Sequence, residues 1–109
     1  MLTIQEAKHN GHAVLKLAGE LTIYTAAEAR TGLAERLEHK GALPELDLSG
    51  IEELDTAGLQ VLLWAKREAS AHDKALPFAN HSPAVVEVFD LLKIAAVFGD
   101  PILIAPSVS

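Results

Sequence analysis

No cysteine occurs among the 109 residues, which excludes a disulfide framework, a thiolate metal site and a thiol nucleophile. Burial of apolar surface must hold the fold. Aromatic residues are scarce, at 5%, with one Trp and one Tyr, so that burial has to be mainly aliphatic. Positive charge is short as well: nine Lys and Arg stand against fifteen Asp and Glu, a formal net charge of −6. Proteins that track a phosphate backbone cluster Lys and Arg, so nucleic acid is not an expected direct partner. No apolar run approaches the roughly 18 residues of a membrane span. The start Met1-Leu2-Thr3-Ile4-Gln5-Glu6 lacks the basic stretch and apolar run of a secretory leader. Membrane insertion and secretion are therefore not expected, and a cytoplasmic setting is. Missing too are a Gly-x-Gly-x-x-Gly loop, a P-loop and a Gly-x-Ser-x-Gly elbow. With no nucleophile, base and carboxylate to assemble, no enzyme activity and no cofactor are expected.

What is present suits one globular unit. Half the residues are apolar and 22% are charged, the balance of a packed domain rather than a disordered tail. No repeat or linker-like stretch divides the chain, so residues 1–109 are expected to form a single domain.

The order of elements follows from period and punctuation. Apolar-rich segments at 2–7 and 13–18 flank His9-Asn10-Gly11-His12, and Asn-Gly accepts the positive φ values of a two-residue turn, which predicts a hairpin. Thr25-Ala26-Ala27-Glu28 reads as a capping box opening a helix to about Lys40. Ala29, Leu33 and Leu37 form its buried stripe, and Gly41 is placed to close it. Leu46-Asp47-Leu48 predicts a strand ending at Ser49-Gly50. A second helix starts near Asp55-Thr56 and runs to about His72. A strand near 75–80 contains Pro77, which has no N–H to give a ladder and so suggests an edge position or an irregularity there. Ser82-Pro83 opens a third helix with Val85, Val88, Phe89 and Leu92 inward, and Pro101-Ile102-Leu103-Ile104 suggests a last strand. Hairpin, helix, strand, helix, strand, helix predicts an α/β domain: a mixed sheet of four to five strands covered by helices.

Two short runs carry the functional reading. Leu46-Asp47-Leu48-Ser49-Gly50-Ile51 followed by Leu54-Asp55-Thr56-Ala57-Gly58-Leu59 resembles the signature of the STAS family, which includes the anti-sigma factor antagonists. Gly19-Glu20-Leu21 and the Ser82-Pro83 helix start extend the likeness over nearly the whole chain. The resemblance implies that Thr56 holds the position that a partner kinase phosphorylates in the antagonists. It further implies that the unphosphorylated form binds an anti-sigma factor or related serine kinase, that phosphorylation releases it, and that a phosphatase restores binding. An accessory STAS subunit docked on a lipid- or solute-transport ATPase is the alternative that the likeness allows. Many antagonists carry Asp where this chain has Thr22.

The residues by themselves point to the same place. A hydroxyl at a helix N-terminus lies beside free backbone amides and the positive end of the helix dipole. A phosphoryl group there would add roughly −1.5 to −2 charges, beside Asp47, Glu52, Glu53 and Asp55. The same residues also read as an ordinary cap, with Gly58 permitting close packing of helix on sheet. Turning Leu59, Leu62, Leu63 and Ala69 inward leaves Ala57, Val61, Trp64 and Glu68 on the opposite side. That apolar strip is expected to meet a partner, or to be covered by a loop or by a second copy in a homodimer. The expected partner-binding set is Asp47, Asp55, Thr56, Ala57, Gly58, Val61 and Trp64. The five histidines show no metal-ligand spacing and read as solvated.

Overall fold

Two antiparallel strands, β1 (Leu2–His9) and β2 (His12–Leu21), open the fold. Asn10 and Gly11 link them at φ 51° and 82°, the left-handed pair that a two-residue hairpin turn needs. The structure, a computed structural model, describes residues 1–38 and 43–92. After the hairpin come α1 (Ala26–Leu37), β3 (Glu45–Leu54), α2 (Thr56–Ala71), β4 (Phe78–Ala79) and α3 (Pro83–Leu92). The sheet order is β1-β2-β3-β4, with β2–β3 and β3–β4 parallel. The mixed α/β architecture expected from the sequence is the one found, and β4 with Pro77 before it stands at the edge. It is shorter than expected because only Leu46 and Asp47 of β3 pair with it. Gly41 and the strand expected at 101–104 lie outside the described residues.

One aliphatic core joins the layers. Leu15, Leu17, Leu46 and Leu48 of the sheet meet Leu33 of α1, Leu59, Leu62 and Ala65 of α2, and Val85 and Phe89 of α3. Their neighbours in the strands, Lys16 and Ser49, are exposed, the alternation of a sheet buried on one face. Among the described residues no helix is long and apolar enough to cross a membrane.

β3 runs well beyond the Ser49-Gly50 end expected for it, for a definite reason. Its register against β2 shifts twice: Lys16 pairs with Asp47 and Ala18 with Gly50, then Gly19 pairs with Ile51 and Glu20 with Glu53. Each shift admits one extra residue into β3, and an extra residue returns the next side chain to the same face. Leu48, Ile51 and Leu54 are therefore all buried at a spacing of three. A search for period-two alternation cannot register that pattern as a strand.

The expected capping box also fails. Thr25 precedes α1, but its hydroxyl makes no cap bond. It turns back, donating to the Glu20 carbonyl at 2.7 Å and accepting from the Thr22 amide at 3.0 Å, while Glu28 is exposed. A threonine hydroxyl can serve nearby backbone groups other than a helix cap, and here it serves the end of β2. At α3 the expected cap is present, with Ser82 Oγ accepting from the Val85 amide at 3.2 Å.

Truncation in this core is expected to be costly. Leu62 is fully buried and Leu91 exposed. Leu62→Ala should lower stability by about 2–5 kcal/mol in urea unfolding, and Leu91→Ala by no more than about 0.5 kcal/mol.

Candidate functional site

At the ends of β2 and β3 the chain turns twice, and one carboxylate joins the two turns. Asp55 caps α2 in extended conformation. Its Oδ1 accepts from the Gly58 amide at 2.9 Å, satisfying a donor of the first helical turn. Its Oδ2 accepts from the amide of Ile23, in the loop between β2 and α1, also at 2.9 Å. The Asp55 amide in turn donates to the Leu21 carbonyl at 3.4 Å. Burial, the largest single influence on this carboxyl, pushes its pKa up, but the amides of Gly58, Ile23 and Ala57 outweigh it and hold the group below its ordinary value. Stabilising the charged form by several N–H donors is what produces such a depression.

The loop is tied from within as well. Thr22, 5% exposed, accepts from the Tyr24 amide at 3.3 Å, and the Thr25 amide donates to the Thr22 carbonyl at 3.0 Å. These bonds leave Ile23 and Tyr24 facing outward, 68% and 93% exposed. Thr56, the first residue of α2, is exposed as well. An apolar step of two side chains and a hydroxyl at a helix N-terminus thus share one carboxylate as their mount. Ile23 and Tyr24 were missed from sequence. The available signal was an Ile-Tyr pair set between two threonines, where neither helix nor strand period gives it a place in the core.

The expected site residues separate into those at this surface and those away from it. Asp55, Thr56 and the half-buried Ala57 are at it. Gly58 is buried, and a Cβ there would run into the Leu21 carbonyl, so its place is the close approach of helix to strand. Val61, expected to face outward, is 6% exposed and belongs to the core. Trp64 is half-buried against that core, with the Arg30 guanidinium of α1 lying 4.7 Å from its ring centre. The strip expected on the outside of α2 is in fact its side toward α1. It was misplaced because α2 is gripped by the sheet on one side and by α1 on another, a wider arc than one stripe. Leu63, expected fully inward, is only partly buried. Trp64 also lies about 12 Å along the helix from Thr56 at 1.5 Å per residue. It lines a cavity of about 560 Å³ with Leu37, Glu68 and His72.

Asp47 is a further correction. It pairs with Lys16 and Ala79 toward the start of β3, roughly 20 Å from the Thr56 end at about 3.3 Å per residue. Its carboxylate accepts from the Ser49 amide at 2.9 Å and from Asn80 Nδ2 at 3.3 Å. Burial raises its pKa most, yet the Ser49 and Asn80 bonds and the Lys16 charge together lower it. It ties β3 to the turn after β4, and a phosphoryl group on Thr56 would not meet it. Among the described residues no group of three or more His, Cys, Asp or Glu is placed to hold a metal ion.

Comparison with known proteins bears on the family and the fold. The family described as "Mlab, STAS domain" matches residues 4–103. The anti-sigma-F factor antagonist RsfB of Mycobacterium tuberculosis is 36% identical over 61 residues, 56% of this chain and 50% of RsfB. The chain spans about half the length of the curated relatives it matches. Among solved structures, an anti-sigma factor antagonist from Mycobacterium paratuberculosis superposes with a TM-score of 0.71 at 22% identity, covering 95% of this chain and 88% of that one. The antagonist SpoIIAA in its unphosphorylated form gives 0.60 at 18% identity, covering 84% and 83%. These structural likenesses establish the fold.

Removing the carboxylate mount should loosen two elements together. Asp55→Ala is expected to cost about 0.5–2 kcal/mol near neutral pH, mainly from the lost cap on the part-buried Gly58 amide. A carboxyl with a depressed folded pKa contributes stability that is present above its unfolded value, near 3.9, and lost as pH falls through the folded one. The gap between wild type and Asp55→Ala should therefore close below about pH 4, as read by urea unfolding at a series of pH values.

Proposed function

The chain belongs to the STAS domain family, and on that premise we propose that it acts as an anti-sigma factor antagonist, binding its partner through the surface that carries Thr56, Ile23 and Tyr24. The partner is an anti-sigma factor or related serine kinase. The observation that carries this reading is the exposed hydroxyl at the start of α2, set beside two exposed apolar side chains that backbone hydrogen bonds hold in place. A rigid apolar anchor loses little conformational entropy on binding, which is why such residues dominate interface energetics. The likeness to RsfB supports the partner class.

Thr56 is the switch in this reading. A kinase phosphorylates it to end binding, and a phosphatase restores the binding form. The added charge of roughly −1.5 to −2 falls among carboxylates already present, since Asp55 adjoins Thr56 and Glu20 and Glu53 are paired across β2 and β3. A partner surface that accepts a hydroxyl in this acidic setting meets a desolvated phosphate instead, and the helix dipole, worth about 0.3–1 kcal/mol, offsets only part of that cost.

A tagged pull-down from the native cell, read by mass spectrometry for partners and for phosphate on Thr56, tests both parts. A kinase-type partner held by wild type and Thr56→Ala, with binding weakened at least about tenfold by Thr56→Glu, is the expected result; tenfold corresponds to about 1.4 kcal/mol. A transport ATPase retained in stoichiometric amount whatever the state of Thr56 would replace this reading with that of an accessory subunit.

A further inference from the structure

The far end of the β1–β2 hairpin brings together two side chains that the Thr56 surface does not use. β3 joins β2 only from Val14 onward, so the ribbon from Lys8 to Ala13 has no third strand beside it, and all of residues 5–13 are exposed. In its register His9 and His12 are direct partners across the turn. Direct cross-strand partners project from the same face with Cβ atoms about 4.5–5.5 Å apart. The Asn10-Gly11 turn fixes that spacing through its two left-handed residues.

We propose that His9 and His12 form a two-imidazole clip for a divalent transition-metal ion of the zinc, nickel or copper type. Imidazole nitrogen suits these ions, and two rings at this spacing can close on one ion at the usual distance of about 2.0–2.1 Å. The next pair on the same face is Ala7 and Val14, which offers no competing ligand atom. Lys8 and Ala13 occupy the other face. No group of three or more His, Cys, Asp or Glu is gathered among the described residues, so the chain supplies two ligands and leaves the remaining positions open to water or an incoming donor. An open shell of this kind marks a coordination handle, not a closed structural site.

The ion would also act on the ribbon. A two-stranded hairpin beyond the edge of its sheet is marginally stable by itself. An ion that bridges the strands binds the paired form alone and stabilises it by mass action. The site lies at the opposite end of β2 from Leu21 and the Asp55 mount, and does not depend on what Thr56 binds.

Titration of the full chain with Zn²⁺, and separately with Ni²⁺, tests the clip by calorimetry and by NMR of the histidine rings and hairpin amides. The expected result is one ion per chain and a joint response of the His9 and His12 rings. Either His9→Gln or His12→Gln should weaken binding at least about tenfold, since losing even an outer-shell partner costs ten- to a hundredfold. Hydrogen exchange of the ribbon amides should slow in the loaded wild type and not in His9→Gln. Both positions are exposed, so a metal-free thermal melt of each variant matching wild type shows that folding is intact. Binding that survives the double replacement, a response confined to one ring, or an equal response at His72 would overturn the assignment.

Discussion

The Asp55 carboxylate accepts hydrogen bonds from two parts of the chain that are far apart in sequence, the first turn of α2 and the loop after β2. The surrounding order depends on that double acceptance. With Gly58 N–H satisfied, α2 begins at Thr56 and presents its hydroxyl at the helix end. With Ile23 N–H satisfied, the loop presents Ile23 and Tyr24 beside it. The Gly58 amide is part-buried and costly to leave unpaired, while the exposed Ile23 bond fixes the loop's position. The surface proposed to bind is in this sense a product of backbone hydrogen bonding at the ends of two parallel strands.

That carboxylate reaches both amides only because β3 delivers it to the right height. Between Asp47 and Leu54, β3 advances two residues further than β2 does. The extra residues keep Leu48, Ile51 and Leu54 in the core and bring the end of β3 level with Leu21, whose carbonyl accepts from the Asp55 amide. Gly58 then lets α2 close on the same carbonyl. Two bulges, one glycine and one carboxylate thus act as a single device. The chemistry on display is small, a hydroxyl and an apolar step, and its position is strongly determined.

Much of the fold was legible because its causes are local. Asn10-Gly11 forms the hairpin turn, Ser82-Pro83 opens α3 and Asp55 opens α2 through preferences set within four residues. The Asp55-Thr56 start of α2 was legible for the same reason. Where a side chain had a choice of partners, local preference misled. Thr25 bears the signature of a cap, yet its hydroxyl serves the Glu20 carbonyl and the Thr22 amide. Period-two alternation lost β3 at its bulges, and one-stripe reasoning turned Val61 and Trp64 outward when α1 covers that side of α2.

The sequence by itself determined the element order, the class of fold, the aliphatic core and the capping carboxylate at residue 55, since each follows from composition or from neighbours along the chain. Only the tertiary structure decided what stands next to Thr56. It removed Asp47 to the other end of β3, drew Val61 and Trp64 into the packing between helices, and set Ile23 and Tyr24 at the surface. The reason is physical: strand register, bulges and helix-on-helix contact are settled between segments distant in sequence, and no periodicity within one segment encodes which face a neighbour will cover.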